Sequence, residues 1–337
     1  MSRGDVMRKF SILIATWNGD DLLKDCLDSI ARVYADDLPQ IVVVDNANQA
    51  STAKLTTHYR NVKYLSAPEN LGFAGGNNLG WPHCGSEYVV LLNNDTTLQG
   101  DSISPIIDYM GAHSKCAAVQ GTIVFDWDRS KTDGTGMWWS PIGILAPEGF
   151  LRPLAEAPKE PREVFAAGGA FFVARRSAVE KAGGLFYDHF KSYYEEVNLC
   201  HRLWLAGYEC AYVPTLPVYH KHSVTAGKIG WDAIRNQYYR NIWFSTLTCF
   251  GWYGILRFVP FLFALRLGQS LMMLIKGKTS GVKVFAANLR HLIGMRQEIV
   301  ATRRQIRKLA VISDFALFNH AVRSQPWRYY WNLIKNN

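Results

Sequence analysis

The first 125 residues alternate short β-branched runs with stretches of helical periodicity, and this restricts the chain more than any other feature. Segments 11–15, 40–44, 62–65, 88–92 and 117–125 are expected strands. Between the first two, Leu22, Leu23, Cys26, Leu27, Ile30 and Val33 recur at helical spacing behind Asp20 and Asp21, acidic residues that suit a helix start. Strand, helix, strand is a βαβ unit, and strands that read as near-continuous apolar runs belong in a sheet covered on both faces. The expected class is α/β, with a mostly parallel central sheet flanked by helices.

Segment 126–162 is rich in Gly, Pro and Trp without periodicity, and is expected to be a long surface excursion. Strands near 164–174, 209–213 and 218–220 and helices over 175–182 and 194–206 complete a second block. From about Ala226 the pattern changes to long helices, apolar at first and then basic, as in Arg303-Arg304-Gln305-Ile306-Arg307-Lys308. Charge changes with it: residues 221–337 hold 18 basic and 3 acidic residues, +15, which leaves 19 and 25, or −6, for residues 1–220. Two bodies with different partners are expected, 1–225 and a helical, basic 226–337. A uniformly basic nucleic-acid-binding protein is not.

Six cysteines are spread without a CxxC pair, which indicates reduced thiols rather than zinc or a disulfide framework. Residues 1–10 carry Arg3, Arg8 and Lys9 but no apolar h-region, so a cytoplasmic start is expected. The longest apolar stretch, 242–265, is interrupted by Arg257, which disfavours a spanning helix.

Ligands of open parallel sheets bind beyond the carboxyl ends of the strands. Three expected strands end in polar residues: Thr16-Trp17-Asn18, Asp45-Asn46-Ala47-Asn48 and Asn93-Asn94-Asp95. Each alone is as well read as an Asx turn; three on successive strands suggest a site. The segment Glu69-Asn70-Leu71-Gly72-Phe73-Ala74-Gly75-Gly76-Asn77-Asn78 is either a tight turn before a helix or a loop whose amides approach phosphate, with the helix beginning after Gly76. Within Tyr193-Tyr194-Glu195-Glu196-Val197-Asn198, Ser192 is placed to cap and Glu195 to sit in the capping-box position, which leaves Glu196 freer to act as a general base. His220 ends another apolar run, with His222 two residues on, and is a candidate metal ligand beside Asp95.

In this order, these motifs resemble family 2 glycosyltransferases with the GT-A fold, most of all their rhamnosyltransferase-type branch, over residues 10–225. Ile12-Leu13-Ile14-Ala15-Thr16-Trp17-Asn18, Val42-Val43-Val44-Asp45-Asn46, the glycine-rich segment, Leu91-Leu92-Asn93-Asn94-Asp95, Gly168-Gly169-Ala170-Phe171 and Tyr194-Glu195-Glu196 carry the likeness. The resemblance implies a Rossmann-like nucleotide-sugar-binding domain. Thr16, Asn18 and Asp45 would hold base and ribose, and Asn70, Gly72 and Asn77 the diphosphate side. Asn93, Asn94 and Arg202 join the donor-binding set. Asp95, last residue of a DxD-type motif whose first Asp is Asn93 here, would bind Mg²⁺ or Mn²⁺ together with His220. Glu196 aligns with the family's base, with Glu195 second; Asn198 replaces a family Asp and cannot ionise.

The implied activity is inverting transfer of a sugar, L-rhamnose from dTDP-rhamnose, to a hydroxyl of a glycan acceptor, lipid-linked, in cell-surface polysaccharide biosynthesis. UDP-galactofuranose, UDP-GlcNAc and UDP-glucose are alternative donors. A nucleotide-sugar-binding scaffold without turnover is the rival that Asn93 and Asn198 motivate. For 226–337, apolar residues such as Trp252, Leu256 and Phe261, flanked by Arg240, Arg266, Lys276 and Lys278, suit the inner face of the cell membrane. A buried helical subdomain or a homodimer interface is the alternative.

Overall fold

Strand β1 (Phe10–Thr16) pairs in parallel with β2 (Gln40–Asp45) on one side and β4 (Tyr88–Leu92) on the other, and β2 pairs in parallel with β3 (Val62–Ser66). Ile12, Leu13 and Ile14 are fully buried because both faces of β1 are covered. The computed structural model describes residues 10–222 and 231–324; segment 1–9 and the boundary expected near 225 lie outside the described residues.

Helix α1 (Asp20–Val33) lays Leu23, Cys26, Leu27 and Ile30 on one face of the sheet, the spacing of a helical stripe. Helices α2 (Ala50–Thr56) and α3 (Gly72–Gly80) follow β2 and β3. A Cβ on Gly80 would lie 2.3 Å from Leu13 Cδ1, so glycine lets α3 pack directly against β1. The expectation that the glycine-rich segment is a loop with a helix after Gly76 is corrected: the segment is itself the helix.

The expected strand 117–125 is two strands. After β5 (Thr96–Leu98) and α4 (Ser104–Ala112), β6 (Cys116–Gln120) joins the large sheet, and the chain then crosses so that β7 (Ile123–Phe125) joins a small one. The large sheet is completed by β10 (Arg162–Val164), β11 (Phe171–Arg175) and β12 (Glu209–Tyr212), in the order β10-β12-β6-β11-β4-β1-β2-β3. Strand β11 runs antiparallel between β4 and β6, which brings the segment before it to the carboxyl end of β4. The small sheet sets β13 (Val218–His220) between β5 and β7.

Segment 126–162 is not a surface excursion. It folds back as the hairpin β8 (Met137–Trp139) and β9 (Leu145–Pro147), with Trp138 and Trp139 buried. Strands of three residues show no measurable period in sequence, which hid them. Trp139 stacks on Phe258, ring centres 5.8 Å apart, and packs edge-on against Phe250 at 5.4 Å. Both partners belong to the C-terminal region.

That region holds α7 (Trp231–Cys249), α8 (Trp252–Ile275), α9 (Ser280–Gly294), α10 (Arg296–Leu309) and α11 (Asp314–Ala321). Trp243, Phe244, Phe258, Leu317 and Phe318 share one core with α5 (Arg176–Lys181), α6 (Glu195–Leu205) and the sheet. The change in sequence grammar near 225 therefore has no matching gap in the packing. Helix α8 is long and apolar enough to cross a membrane by length and composition, and only 17% of its most apolar window is buried.

Candidate active site

The carboxyl ends of β1, β2 and β4 form one polar rim. Asn94 Nδ2 donates to Thr16 Oγ1 at 2.8 Å, joining β4 to β1. Asn18, in the left-handed region at φ 51°, accepts from Gln49 Nε2 at 2.7 Å, joining β1 to the loop after β2. Asn18, Asn93 and Asn94 keep exposed surface on this rim. Asp45 is fully buried: its carboxylate accepts from the amides of Ala47 and Gln49 and from the Tyr64 hydroxyl, and so shapes the loop after β2.

The small sheet explains why Asp95 and His220 meet across 125 residues of chain. Strand β13 runs antiparallel to β5 with His220 opposite Thr96, and the Lys221 amide donates to the Asp95 carbonyl at 3.0 Å. His220 Nε2 then lies 3.2 Å from Asp95 Oδ1 and Nδ1 lies 2.6 Å from Asp133 Oδ2. His222 Nδ1 reaches the same Asp133 oxygen at 3.1 Å. Burial alone would lower the His220 pKa, but the two carboxylates outweigh it and hold it at about 9. Burial likewise opposes Asp133, whose hydrogen bonds from His220 and His222 keep it below the ordinary carboxylate range.

This donor set fits a divalent cation. Ligand atoms of Asp133, His220 and His222 lie within 4.8 Å of one another, and carboxylate oxygen with imidazole nitrogen suits a transition ion such as Mn²⁺ better than Mg²⁺, which takes oxygen ligands. A carboxylate on the far nitrogen of a histidine is the usual second support of a metal-binding imidazole. Asp133 was not singled out in the sequence. Its place depends on the return of the chain after β7, where its amide donates to the Ile123 carbonyl at 2.9 Å, and no local pattern signals that.

Helix α6 starts behind a constrained turn. Lys191, Tyr193 and Tyr194 all have positive φ, 54°, 72° and 77°, conformations that cost bulky residues energy and persist only when their surroundings impose them. Asn241 on α7 imposes them, its side-chain amide donating to the carbonyls of Phe190, Ser192 and Tyr193. Glu195 then points inward, buried, while Glu196 stays partly exposed. Burial, reinforced by the Glu196 charge, pushes Glu195 well above the carboxylate range. Burial also raises Glu196, to about 7, against the opposing amides of Glu196 and Gly169.

Glu196 sits on the same rim as Asp95. A Cβ on Gly169 would lie 3.5 Å from the Glu196 carboxyl, and the next residue, Ala170, accepts from the Asn93 amide at 3.0 Å. Gln120, also unremarked in the sequence, ties the two halves. Its Oε1 accepts from the Gly168 amide at 2.6 Å and its Nε2 donates to the Gly134 carbonyl at 2.8 Å, beside Asp133.

Three sequence expectations are corrected here. The α3 start is not open to phosphate: the amides of Gly72, Phe73 and Ala74 donate to Asn70 Oδ1, Ser192 Oγ and the Lys191 carbonyl. Gly72, at φ +73°, is required because a Cβ would lie 2.5 Å from that carbonyl. Asn77 is buried in α3 and donates to the Phe73 carbonyl, and Gly72 fits closely against the turn before α6, while Asn70 stays exposed. Ser192 caps α3, not α6, whose own N-cap residue Tyr194 makes no side-chain cap. Arg202 is buried, with its guanidinium spent on Asn198 Oδ1 and the carbonyls of Ala182, Gly184 and Leu185. It holds α6 in place and does not reach the rim. Asn198 faces away too, donating to Ser245 Oγ at 3.0 Å on α7.

Sheet order, polar rim and acidic helix start together define a GT-A domain. The chain belongs to glycosyl transferase family 2, whose description matches residues 11–183. Among curated relatives, the rhamnosyltransferase WbbL of Escherichia coli K12 is 22% identical over 62% of this chain and 82% of its own length. N-acetylglucosaminyl-diphospho-decaprenol L-rhamnosyltransferase of Mycobacterium tuberculosis is 26% identical over 56% of this chain and 68% of its own. Among solved structures, S. aureus TarS 1-349 with UDP-GlcNAc covers 89% of this chain and 90% of its own, TM-score 0.57, at 14% identity. GalNAc-T7 with UDP, GalNAc and Mn²⁺ covers 69% of this chain and 48% of its own, TM-score 0.54, at 16% identity.

Proposed function

We propose that this chain is an inverting glycosyltransferase that moves L-rhamnose from dTDP-rhamnose to a hydroxyl of a lipid-linked glycan, at the cytoplasmic face of the membrane, in cell-surface polysaccharide assembly. The reading rests on Glu196, a partly exposed carboxylate raised to about 7 on the rim that carries Asn93 and Asp95. A base with a pKa near the working pH is the efficient one. The rhamnose assignment is supported by the names of the two relatives.

Glu196 takes the proton of the acceptor hydroxyl while that oxygen bonds to the anomeric carbon, on the face opposite the diphosphate. The bond from the anomeric carbon to the diphosphate oxygen breaks, and its electron pair leaves with the diphosphate. Configuration inverts because attack and departure use opposite faces. Glu195, kept neutral by burial, adds no second charge beside the base. Asn18, Asn93 and Asn94 offer the exposed amide groups for base, ribose and phosphate. Asp95 and His220 would hold Mg²⁺ or Mn²⁺ with Asp133 orienting the imidazole, and the ion would supply positive charge to the departing diphosphate.

Membrane seating belongs to the same reading. Both arginines of α8 turn inward: the Arg257 guanidinium lies 5.2 Å from the Phe318 ring and that of Arg266 lies 3.7 Å from Tyr239. The outward face is left to residues such as Trp252 and Leu256, each 73% exposed, and Ile275, 85% exposed. Exposed Lys276 and Lys278 follow at the turn into α9, where anionic lipid headgroups attract them.

The test is a thermal-shift screen of the full chain with dTDP-rhamnose, UDP-galactofuranose, UDP-GlcNAc and UDP-glucose, with and without Mn²⁺. A ligand at roughly 100 times its dissociation constant stabilises by about 2.7 kcal/mol, so the native donor should stand out. The expected result is the largest shift with dTDP-rhamnose and Mn²⁺. A larger shift with a UDP-sugar would replace the donor, and no shift with any would overturn the reading.

A further inference from the structure

Helix α7 presents a polar stripe to α6 and to the turn before it. Gln237, Asn241, Ser245 and Cys249 recur every fourth residue, the spacing that puts side chains on one helix face. Gln237 Nε2 donates to the Phe190 carbonyl, and Asn241 Nδ2 to the carbonyls of Phe190, Ser192 and Tyr193 at 3.0, 3.1 and 2.6 Å. Ser245 Oγ and Cys249 Sγ both accept from the Asn198 side-chain amide, at 3.0 and 3.4 Å. Asn241, Ser245 and Cys249 are buried. A buried polar network whose members are bonded rigidifies what it joins.

What Asn241 holds is unfavourable by itself. Lys191, Tyr193 and Tyr194 lie in the left-handed region, which penalises any residue with a side chain. Their conformation turns three carbonyls toward one point, where the two hydrogens of a single amide serve all of them. Just beyond, the Tyr194 hydroxyl and Glu195 Oε2 are buried with no hydrogen-bond partner among the described residues. Helix α3 braces the other side of the turn, the Ala74 amide donating to the Lys191 carbonyl at 2.7 Å and the Phe73 amide to Ser192 Oγ at 3.1 Å.

Glu196 is the second residue of α6, and its carboxyl accepts from its own amide and from that of Gly169. Both contacts depend on where α6 begins and which way its first turn faces. Misplacing a reacting group by about 1 Å can cost about 10²-fold in rate.

We propose that Asn241 is a positioning residue of the transfer reaction: from the C-terminal helices it locks the left-handed turn over 191–194 and thereby sets the place of the Glu196 carboxyl. The assignment rests on the glycosyl-transfer reading above and deepens it, making the C-terminal region part of what places the base. The titratable groups that share the field of Glu196 are Glu195 beside it, Tyr194 before it and Tyr238 on α7. Burial keeps Glu195 neutral and raises both phenols, Tyr238 to about 12, so Glu196 is the member that titrates near 7.

The experiment compares the full native chain with Asn241→Leu and with Asn241→Leu combined with Lys191→Gly. Two quantities are measured across about pH 5 to 9: sugar transfer, and the ¹³C carboxyl resonance of Glu196, identified by its loss in Glu196→Gln. Leucine is close to asparagine in size and offers no donor. In Asn241→Leu, kcat should fall about 10²-fold, with donor KM and dTDP affinity in Mn²⁺ unchanged. Glu196, released from its buried place, should titrate lower, toward the ordinary glutamate range, and the rise of activity should move to lower pH with it. Lys191 is exposed, and glycine takes φ 54° without penalty, so the double variant should recover part of both changes. Loss of stability alone would reduce the active fraction and leave the pH profile in place. If Asn241→Leu does not fold, Asn241→Ser, which keeps one donor, should move both quantities the same way by less.

A Glu196 titration that stays where it is in the native chain would overturn the proposal, whatever the rate does. So would a native rate and pH profile in the folded variant, a matching loss of dTDP affinity, or no recovery in the double variant. If the Glu196 resonance moves as expected but the native chain transfers no sugar, the glycosyl-transfer reading fails while the coupling of Asn241 to Glu196 stands.

Discussion

The Nδ1 atom of His220 lies 2.6 Å from Oδ2 of Asp133, while the opposite nitrogen of the same ring faces Asp95 at 3.2 Å. The ring is thus held between two carboxylates, and Asp133 also belongs to the group whose ligand atoms could hold the ion. Asp133→Asn keeps the shape and removes the charge that orients the imidazole. Removing such a support costs about 10–100-fold in metal affinity. Isothermal titration of Mn²⁺ into the variant should show that loss, and unchanged Mn²⁺ affinity would mean that Asp133 only braces the loop.

Glu195 makes stability depend on pH. Its pKa is raised well above the ordinary 4.5, first by burial and then by the Glu196 charge. The folded chain therefore holds a proton that the unfolded chain releases near 4.5, so this stabilisation is full below that pH and declines as pH rises toward the folded value. The slope is up to about 1.4 kcal/mol per pH unit. Denaturant melts between pH 5 and 7 should show Glu195→Gln losing less stability than the native chain; parallel curves would contradict the buried, neutral assignment.

Arg202 is a structural residue on this account. Arg202→Met leaves the carbonyls of Ala182, Gly184 and Leu185 without their donor. Each orphaned buried acceptor costs about 1–3 kcal/mol, so a total loss of about 3–5 kcal/mol is expected in chemical denaturation. Affinity of the folded fraction for dTDP should not change. Weaker nucleotide binding at native stability would return Arg202 to the donor site.

The proposed membrane seating places the outward face of α8 against lipid. Full-length protein should float with anionic vesicles, and Leu256→Glu with Ile275→Glu should abolish flotation while transfer to a soluble acceptor persists. High salt should weaken binding through Lys276 and Lys278 but not eliminate it, because Debye screening leaves the apolar contact intact. A protein that stays in solution at twice its monomer mass would give this face to a second copy instead.

The parallel half of the sheet was legible because its signals are local. Segment 88–92 matches β4 residue for residue, β1 extends one residue beyond expectation at each end, and β2 and β3 extend one residue at their carboxyl ends. The helix at 194–206 was also visible, since Leu199, Cys200, Leu203 and Trp204 form a stripe. What the sequence hid depends on distant contacts. Ser192 reads as a cap for the helix that follows it, yet its hydroxyl serves Phe73, 119 positions away. The phosphate loop suggested by Gly72 to Gly76 is a helix because the turn at Lys191 and Ser192 supplies its first amides with acceptors. Asp133 and Gln120 act through neighbours far along the chain.

The central claim is that Glu196 is the base that activates the acceptor. Glu196→Gln preserves size and removes the proton acceptor, and such a base contributes about 10²–10⁴-fold. With dTDP-rhamnose, Mn²⁺ and a lipid-linked glycan acceptor, sugar transfer should fall by that factor, and the rise in native activity through about pH 7 should disappear. Donor affinity, measured by titration on the same variant, should be unchanged. Transfer at the native rate with the native pH profile in Glu196→Gln would contradict the account.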